Sequence, residues 1–491
     1  MKYIVSLDQG TTSSRAILIN ENGKLIDIKQ KEFKQIFPHQ GWVEHDPNEI
    51  LKSQIDVFEE LVSSISLSDI VSIGITNQRE TTVIWDKDTG KPLYNAIVWQ
   101  DKRTSSICDQ MKRDELSSYV KESTGLVIDS YFSATKVKWI IDNVDGVKSK
   151  LKEDKVLFGT IDSWLIYNLT NFKNHVTDYT NASRTMMYNI RTLQWDKKIL
   201  EYLDIPKSIL PEVMTSSSNF GEFQYKGFSI PINGVAGDQQ AALFGQACFE
   251  DGMVKNTYGT GCFLLMNTGK KFMLSENGLI TTIACSLDNN IEYALEGSVF
   301  VAGAAIQWLR DSLGIIDSAS ETEKIASSVK KLDDIYVVPA FAGLGAPYWD
   351  MYSRGAIFGL TRDTDRNQII KATLESLAYQ TKDIIDVMEK DSGLNLNSLK
   401  VDGGACMNNY LMQFQSDLLG NEVIRPEIIE STAMGAGYLA GLKSCIWDKD
   451  QIIKNQKIDR TFQSQIDMEE RNKMYGGWKK AVKRTFNWIE K

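Results

Sequence analysis

The feature that most constrains the fold of this chain is a strand–turn–strand pattern that occurs twice. Residues 3–7 form an apolar run that predicts a buried strand, residues 8–15 form a turn rich in hydroxyl side chains, and residues 16–19 predict a second strand. The same order returns in residues 253–266, about 250 residues later, around a Gly-Thr-Gly turn. Because this distance is close to half of the chain, the repeat predicts two similar domains that each offer a hairpin turn to one ligand.

Length and charge narrow the class of protein. A chain of 491 residues is too long for one ordinary core, so at least two domains are expected. The 55 lysines and arginines against 64 aspartates and glutamates give a net charge of −9, and no strongly basic run is present. A mildly acidic chain without a basic patch argues against nucleic acid as the main partner.

The N-terminus and the cysteines indicate where the protein works. The chain enters a strand at once, without a secretory signal pattern, and no apolar window is long enough to cross a bilayer. We therefore expect a cytoplasmic protein without membrane insertion. The six cysteines are scattered with no CxxC pair, which is typical of reduced thiols and gives no zinc site.

The first turn combines residue types that suit phosphate and metal binding. Gly10 lets the backbone approach a ligand, and the hydroxyl and N–H groups that follow it can donate to phosphate oxygens. Asp8 leaves the strand end in a position to hold a metal ion, directly or through water. A polar hairpin tip remains the simpler interpretation of any single hydroxyl residue, but the whole set favours a phosphate site, formed by Thr11, Thr12, Ser13, Ser14 and Arg15.

Two further strand ends carry candidate residues. The strand predicted over residues 71–76 ends in Asn-Gln-Arg-Glu, and the carboxyl ends of strands are where open α/β sheets bind ligands. Arg79 and Glu80 are adjacent, so both face one pocket only if the strand has already ended; a solvated charge pair is the simpler interpretation. The strand near residues 230–236 delivers Asp238, which suits a general base, with helix capping as the alternative.

The second half offers contacts for a nucleotide. Gly303 and Gln307 are four residues apart and share one helix face. Gly403 and Gly404 follow a predicted strand and let a base and ribose lie against bare backbone, with Asn408 as an amide contact. No GxxxxGK[ST] motif is present, which argues against a P-loop fold. We also expect residues 267–269 to reverse the chain, whereas no role follows from the polar segment 177–184.

Five motifs in the expected order resemble the FGGY carbohydrate kinases. They are Asp-Gln-Gly-Thr-Thr-Ser-Ser-Arg at residues 8–15, Ile-Thr-Asn-Gln-Arg-Glu-Thr at 75–81, Gly-Asp-Gln-Gln-Ala-Ala-Leu-Phe-Gly at 237–245, Asn-Thr-Tyr-Gly-Thr-Gly-Cys at 256–262 and Val-Asp-Gly-Gly-Ala at 401–405. The resemblance covers nearly the whole chain. It implies an α/β protein with two ribonuclease-H-like domains of the actin and hexokinase type, residues 1–248 and 249–491, with a cleft between them.

The resemblance also implies an activity, the phosphorylation of glycerol to sn-glycerol 3-phosphate by ATP. Asp238 is then the general base, magnesium lies near Asp8, and the protein is a homodimer or homotetramer. Glycerol is expected to contact Arg79, Glu80, Trp99, Tyr131, Asp238, Gln239 and Phe263. ATP is expected to contact Thr11, Thr12, Ser13 and Arg15 on one side and Thr260, Gly303, Gln307, Gly404 and Asn408 on the other.

Two other functions remain open on the sequence. The first is a kinase of the same family that acts on another polyol or ketose, such as xylulose. The second is a non-metabolic actin-like ATPase module. A module of that kind has no need for Arg79, Glu80 and Asp238 to meet in one small polar pocket, so the arrangement of these three residues distinguishes the classes.

Overall fold

The computed structural model describes residues 1–287, 290–330, 332, 334–341 and 343–490. The strands of the first half of the chain are β1 (Tyr3–Gln9), β2 (Ser13–Asn20), β3 (Leu25–Glu32), β4 (Glu44–His45), β5 (Ile70–Asn77), β6 (Val83–Asp86), β7 (Ala96–Ile97), β8 (Val156–Gly159), β9 (Val176–Asp178), β10 (Tyr188–Asn189), β11 (Gln194–Trp195), β12 (Glu212–Met214), β13 (Glu222–Tyr225) and β14 (Phe228–Gly237). Those of the second half are β15 (Val254–Tyr258), β16 (Cys262–Gly269), β17 (Ile280–Ile283), β18 (Tyr293–Val299), β19 (Tyr336–Val338), β20 (Ala356–Phe358), β21 (Ser398–Asp402), β22 (Glu422–Pro426) and β23 (Ile458–Phe462).

Helices connect and cover these strands. In the first half they are α1 (Pro47–Val62), α2 (Ser105–Arg113), α3 (Ser117–Thr124), α4 (Ser133–Asn143), α5 (Val147–Lys152), α6 (Ile161–Leu169), α7 (Tyr179–Ala182), α8 (Lys197–Tyr202) and α9 (Asp238–Gly245). In the second half they are α10 (Gly303–Asp311), α11 (Glu321–Ser328), α12 (Arg366–Ser392), α13 (Asn409–Leu419), α14 (Ser431–Lys443), α15 (Lys449–Asn455) and α16 (Met468–Lys483).

The two main sheets share the arrangement of their central strands, and the second sheet has one strand more. The first has the strand order β13-β14-β5-β1-β2-β3 and the second β17-β18-β16-β15-β21-β22-β23. In the first sheet β1 pairs antiparallel with β2 and parallel with β5, and in the second β15 pairs antiparallel with β16 and parallel with β21. The repeated strand–turn–strand pattern is therefore the start of each sheet, and the prediction of two similar α/β domains is confirmed.

Each sheet has its own hydrophobic core. One core is made of buried side chains between Val5 and Val235, and a second is made of buried side chains between Val254 and Val482. A chain of this length forms separate cores because one core stops growing at this size. The separation of the cores supports the two-domain fold.

One helix of the second half packs against the first sheet. Helix α14 lies on β1, β5 and β14 and runs along α9. A Cβ added to Gly435 would lie 1.9 Å from the carbonyl oxygen of Ala241, and one added to Gly245 would lie 2.0 Å from that of Ser431. Glycine at both positions lets the two helix backbones touch, and the contact connects the two halves of the chain.

The chain reverses at the end of β16, slightly later than the predicted residues 267–269: the N–H of Lys271 donates to the carbonyl oxygen of Thr268 at 3.3 Å, and Asn267 still belongs to the strand. Strand β16 continues to Gly269, and its pairing with β18 shifts register between Asn267 and Gly269. The side-chain oxygen of Asn267 accepts a hydrogen bond from the N–H of Gly269 at 2.7 Å, and its amide donates to the carbonyl of Cys248. Turn-forming residues here stabilise an irregularity within a strand, because neighbouring strands on both sides continue the sheet.

None of the helices among the described residues is long and apolar enough to cross a membrane.

Candidate active site

Arg79 and Glu80 lie at a strand end and point into the interior. Strand β5 ends at Asn77, and Glu80 has a φ of 59°, which is uncommon for a residue with a side chain. This turn lets two adjacent side chains face the same side of the backbone. Arg79 is 2% exposed and Glu80 is 1% exposed. The interpretation of the two residues as a solvated charge pair is therefore wrong.

Two arginines and two glutamates form a buried ion-pair network. The Arg79 guanidinium donates to both carboxylate oxygens of Glu296, at 2.6 and 2.9 Å. Arg184 donates to Glu80 at 2.6 Å and to Glu296 at 3.1 Å. Glu296 lies on β18 of the second sheet, whereas the other three residues belong to the first half of the chain. The network therefore joins the two halves of the chain next to Asp238, which lies 3.1 Å from Nε of Arg79.

The network fixes the charge of its members. Burial favours the protonated form of Glu296, but the guanidinium groups of Arg184 and Arg79 outweigh it and hold its pKa at about 2. Burial raises the pKa of Glu80, although Arg184 and Arg79 oppose this change. Glu296 is thus a fixed anion at neutral pH, and it holds both guanidinium groups in place.

Asp238 lies at the open end of this network. It is the first residue of α9, behind the N-cap residue Gly237, so the alternative that Asp238 itself is the N-cap is wrong. Its Oδ1 accepts a hydrogen bond from the N–H of Gln239 at 2.7 Å and lies 3.1 Å from Nε of Arg79. The Asp238 side chain is 30% exposed, in contrast to the buried arginine behind it. The carboxylate is therefore oriented from one side and accessible from the other.

Three half-buried aromatic rings meet next to the ion-pair network, where the Arg184 guanidinium lies 5.6 Å from the ring of Tyr131. The ring of Trp99 lies 5.5 Å from the ring of Tyr131 and 6.4 Å from that of Phe263, both in edge-on contact. Nε1 of Trp99 donates to Oγ1 of Thr11 at 3.0 Å. The structure brings the predicted aromatic residues together and connects them to the first hairpin turn.

The first turn is rich in charge. Arg15 pairs with Glu430, donates to Gln30 and lies 3.7 Å from Asp8. Burial raises the pKa of Asp8 to about 7; Arg15 opposes the increase, and the carboxylates of Glu430 and Asp238 add to it. Of the hydroxyl residues, Thr12 is exposed and Thr11 and Ser13 are half-buried.

This turn fits a magnesium ion that is shared with a phosphate. Mg²⁺ prefers oxygen ligands and is commonly held by one or two carboxylates, with water and substrate phosphates supplying the rest. The carboxylate of Asp8 is buried near two others, so negative charge is in excess there. Within the described ranges, no group of three or more acidic, histidine or cysteine side chains forms a complete metal site. An ion at Asp8 would thus need oxygen ligands from another molecule.

A cavity of about 420 Å³ lies in the second half of the chain. It is lined by the five residues that the sequence assigns to the nucleotide: Thr260, Gly303, Gln307, Gly404 and Asn408. Gly303 starts α10 against the second hairpin turn, and a Cβ on it would lie 2.5 Å from the carbonyl oxygen of Gly259. Asn408 caps α13 and donates to Thr322, so part of its amide is occupied. The lining residues missed by the sequence reasoning include Tyr258, Arg310, Thr322 and Glu323.

The polar segment 177–184 acquires a role in the structure. Asp178 accepts hydrogen bonds from Thr180, whose hydroxyl accepts the backbone N–H of Gly237 at 2.8 Å. The side chain of Asn181 accepts from Asn77 at 2.9 Å. Together with the bond from Arg184 to Glu80, the segment holds the ends of β5 and β14 that carry the candidate site residues.

Sequence reasoning missed Arg184, Glu296 and Lys255 as parts of the site. Lys255 lies among polar residues of β15 and has no distinctive pattern, whereas Glu296 is a charged residue in the buried strand β18, where a charge requires partners. That signal was present in the sequence, but it does not identify the partner. Arg184 has no such local signal. Its carboxylate partners, Glu80 and Glu296, are 104 and 112 residues away from it in the sequence.

Family models cover both halves of the chain. The N-terminal domain of the FGGY family of carbohydrate kinases matches residues 3–245, and the C-terminal domain of the same family matches residues 254–444. The chain therefore belongs to the FGGY family of carbohydrate kinases, and the resemblance of its five motifs to this family is confirmed.

Individual proteins that are similar to this chain indicate a particular kind of carbohydrate kinase within the family. A glycerol kinase of Alkaliphilus metalliredigens is 61% identical over 99% of this chain and 99% of its own length, and one of Fusobacterium nucleatum is 61% identical over 100% of both. A crystal structure of Plasmodium falciparum glycerol kinase with ADP is 40% identical, with a TM-score of 0.93 over 99% of this chain and 98% of that one. Gluconate kinase from Lactobacillus acidophilus, at 20% identity and a TM-score of 0.87 over 98% of this chain and 97% of its own, shares the fold.

Proposed function

We propose that this protein transfers the γ-phosphoryl group of ATP to glycerol and forms sn-glycerol 3-phosphate. The observation that carries the proposal is the carboxylate of Asp238, which Arg79 orients at 3.1 Å while 30% of the Asp238 side chain stays exposed. The full-length similarity to glycerol kinases supports the choice of acceptor.

The acceptor pocket is assigned to residues around Asp238. Arg79 and Glu80 offer one donor and one acceptor to the hydroxyls of glycerol, and Tyr131 and Gln239 add further polar contacts. The rings of Trp99 and Phe263 contact each other and supply apolar walls against the carbon chain of glycerol. This combination suits a small polyol. The hydroxyls of a polyol need hydrogen-bond donors and acceptors, whereas its carbon atoms pack against apolar walls.

ATP is assigned to the two hairpin turns and the cavity. The adenosine part is placed in the 420 Å³ cavity, with contacts to Thr260, Gly303, Gln307, Gly404 and Asn408. The phosphates are placed at the first turn, with Thr11, Thr12, Ser13 and Arg15 as donors. Residues 1–248 and 249–491 are proposed as the two domains that close on the substrates and exclude water.

Phosphoryl transfer depends mainly on positioning and on the neutralisation of negative charge. Asp238 accepts the proton of the terminal hydroxyl of glycerol as the hydroxyl oxygen attacks the γ-phosphorus and the bond to the β–γ bridging oxygen breaks to release ADP; Arg79 keeps this carboxylate in place. Arg15 and the donors of the first turn stabilise charge on the phosphate oxygens. Magnesium, held by Asp8, would supply further positive charge to those oxygens.

The cellular compartment and the oligomeric state are proposed from the reaction and from the family. We propose a cytoplasmic location, because ATP, the proposed phosphate donor, is available there. A homodimer or homotetramer, as the family implies, stays a prediction, and size-exclusion chromatography with light scattering measures it.

The test is Mg-ATP turnover in a coupled ADP assay with glycerol, dihydroxyacetone, xylulose, ribulose or no acceptor. We expect ADP formation to depend on glycerol and to be weak with the two ketopentoses. A preference for xylulose would keep the fold and Asp238 but refute the acceptor. An equal rate without any acceptor would instead favour an actin-like ATPase module.

A further inference from the structure

A buried lysine lies beside the candidate acceptor pocket. Lys255 is on β15 and has no exposed surface. Its Nζ donates to Oε1 of Gln239 at 2.5 Å, to Oγ1 of Thr257 at 2.9 Å and to the carbonyl oxygen of Phe263 at 3.2 Å. An ammonium group has three donors, so these contacts use all of them and fix its position. Two of the acceptors belong to its own sheet, and the third is on α9.

The contact with α9 determines how the amide of Gln239 is oriented. An ammonium group donates hydrogen bonds and accepts none, so the amide must turn its oxygen toward Lys255. The NH₂ group of the amide then points away from Lys255. Gln239 follows Asp238 directly, and its backbone N–H is bonded to the carboxylate of that residue.

The surrounding charges keep the lysine protonated. Burial lowers the pKa of Lys255 to about 8, while the carboxylates of Asp402, Asp238 and Glu296 oppose the decrease. At neutral pH most of the population therefore carries the ammonium group that the orientation of Gln239 requires.

We propose that Lys255 is a positioning residue that makes Gln239 present an amide donor, and not an acceptor, to the substrate. This inference rests on the proposed function, in which Gln239 contacts the acceptor. Asp238 and Glu80 present acceptors in the same pocket, so a substrate hydroxyl meets a donor and an acceptor at once. Lys255 thereby contributes to the choice of a hydroxyl-bearing substrate without touching it.

The chain offers a matched control in Lys400. Lys400 is the register partner of Lys255 in the pairing of β15 with β21. Its Nζ donates to the carbonyl oxygens of Gln246 and Ala247, at 2.6 and 3.4 Å, and to no side chain of the pocket. Lys255→Met and Lys400→Met therefore remove the same group from paired positions, and only the first affects Gln239.

The experiment measures kcat, KM for glycerol and KM for ATP in both variants. We expect Lys255→Met to raise KM for glycerol about tenfold, as the loss of one buried charged hydrogen bond does, with KM for ATP changed less than twofold. Lys400→Met is expected to leave both KM values near those of the unmodified enzyme. Equal changes in the two variants would overturn the inference and indicate a structural role for Lys255.

A double-mutant cycle with Gln239→Ala separates positioning from stability. In the Gln239→Ala background, Lys255→Met should no longer raise KM for glycerol, and a full additional effect would overturn the inference. If Lys255→Met does not fold, Gln239→Glu replaces it, because this variant keeps an ion pair with Lys255 and loses the donor. An unchanged KM in Gln239→Glu would overturn the inference, whereas unmodified enzyme that is inactive on glycerol would refute the proposed function instead.

Discussion

The acceptor pocket and the nucleotide cavity are built in different ways. Behind the acceptor pocket lie two arginines and two glutamates, all at most 2% exposed, which hold one another through hydrogen bonds of 2.6–3.1 Å. The nucleotide cavity has a mixed lining of glycines, polar side chains and apolar side chains such as Ile306 and Leu374, and Thr260, Gln307 and Gly404 are exposed.

The difference indicates what each substrate requires. The acceptor hydroxyl must be oriented and deprotonated, which needs carboxylates and guanidinium groups with fixed positions. The adenosine part of ATP undergoes no chemistry, so a cavity of the right shape with a few polar contacts is sufficient. Substitutions on the two sides should therefore affect different substrates and by different amounts.

The largest expected effect is on the acceptor side, at Asp238. Asp238→Asn removes the proton acceptor while keeping the shape of the side chain, so kcat for glycerol phosphorylation should fall by about 10²–10⁴-fold. ATP affinity, measured by equilibrium binding, should stay largely intact. Near-normal turnover in this variant would remove Asp238 from the catalytic role.

The second effect is on the network that supports the pocket. Glu296→Gln leaves two buried guanidinium groups with the buried carboxylate of Glu80 and the partly exposed one of Asp238, and the free energy of unfolding should fall by about 3–5 kcal/mol. Urea unfolding measures it, with Glu422→Gln, an exposed position in the same sheet, as the control. Equal midpoints for the two variants would show that the network contributes nothing to stability.

The third effect is on glycerol binding. Arg79→Ala removes a donor of the pocket and should raise KM for glycerol about 10- to 100-fold, with a much smaller change in KM for ATP. Arg103→Ala is the control, because Arg103 is also a buried arginine, paired with Glu44 and Asp101 outside the pocket. Similar increases in both KM values for Arg79→Ala would contradict the assignment.

The smallest effect is expected in the nucleotide cavity. Gln307→Ala removes one exposed polar contact, so KM for ATP should rise only about two- to fivefold and KM for glycerol should not change. Gln194→Ala, at an exposed position on β11, is the matched control. A loss as large as that of Arg79→Ala would show that the two sides do not differ as described.

Local sequence patterns predicted the elements that carry the site. The apolar runs before Asp8, Asn77 and Asp238 are strands in the structure, and the repeated hairpin starts each sheet. These predictions succeed because strand ends and glycine turns are indicated by residues that are close together in the sequence. The five cavity residues follow the same logic, since each is next to a turn or on one helix face.

Contacts between distant parts of the chain could not be predicted in this way. Arg184 contacts Glu80 and Glu296 only in the folded protein. Helix α14 begins at Ser431 and covers a sheet whose strands end at Gly237, more than 180 residues earlier. The turn predicted at residues 267–269 lies slightly later, at residues 268–271, for a related reason, because pairing with neighbouring strands continues through Asn267. Tertiary packing decides such cases.

The most direct test of the central claim is calorimetric titration of glycerol and of ADP into three proteins: the unmodified enzyme, Arg79→Ala and Gln307→Ala. We predict that Arg79→Ala loses most of its affinity for glycerol and keeps that for ADP, while Gln307→Ala shows a small loss for ADP alone. If either variant weakened both ligands by the same factor, the division into an acceptor side and a nucleotide side would be contradicted.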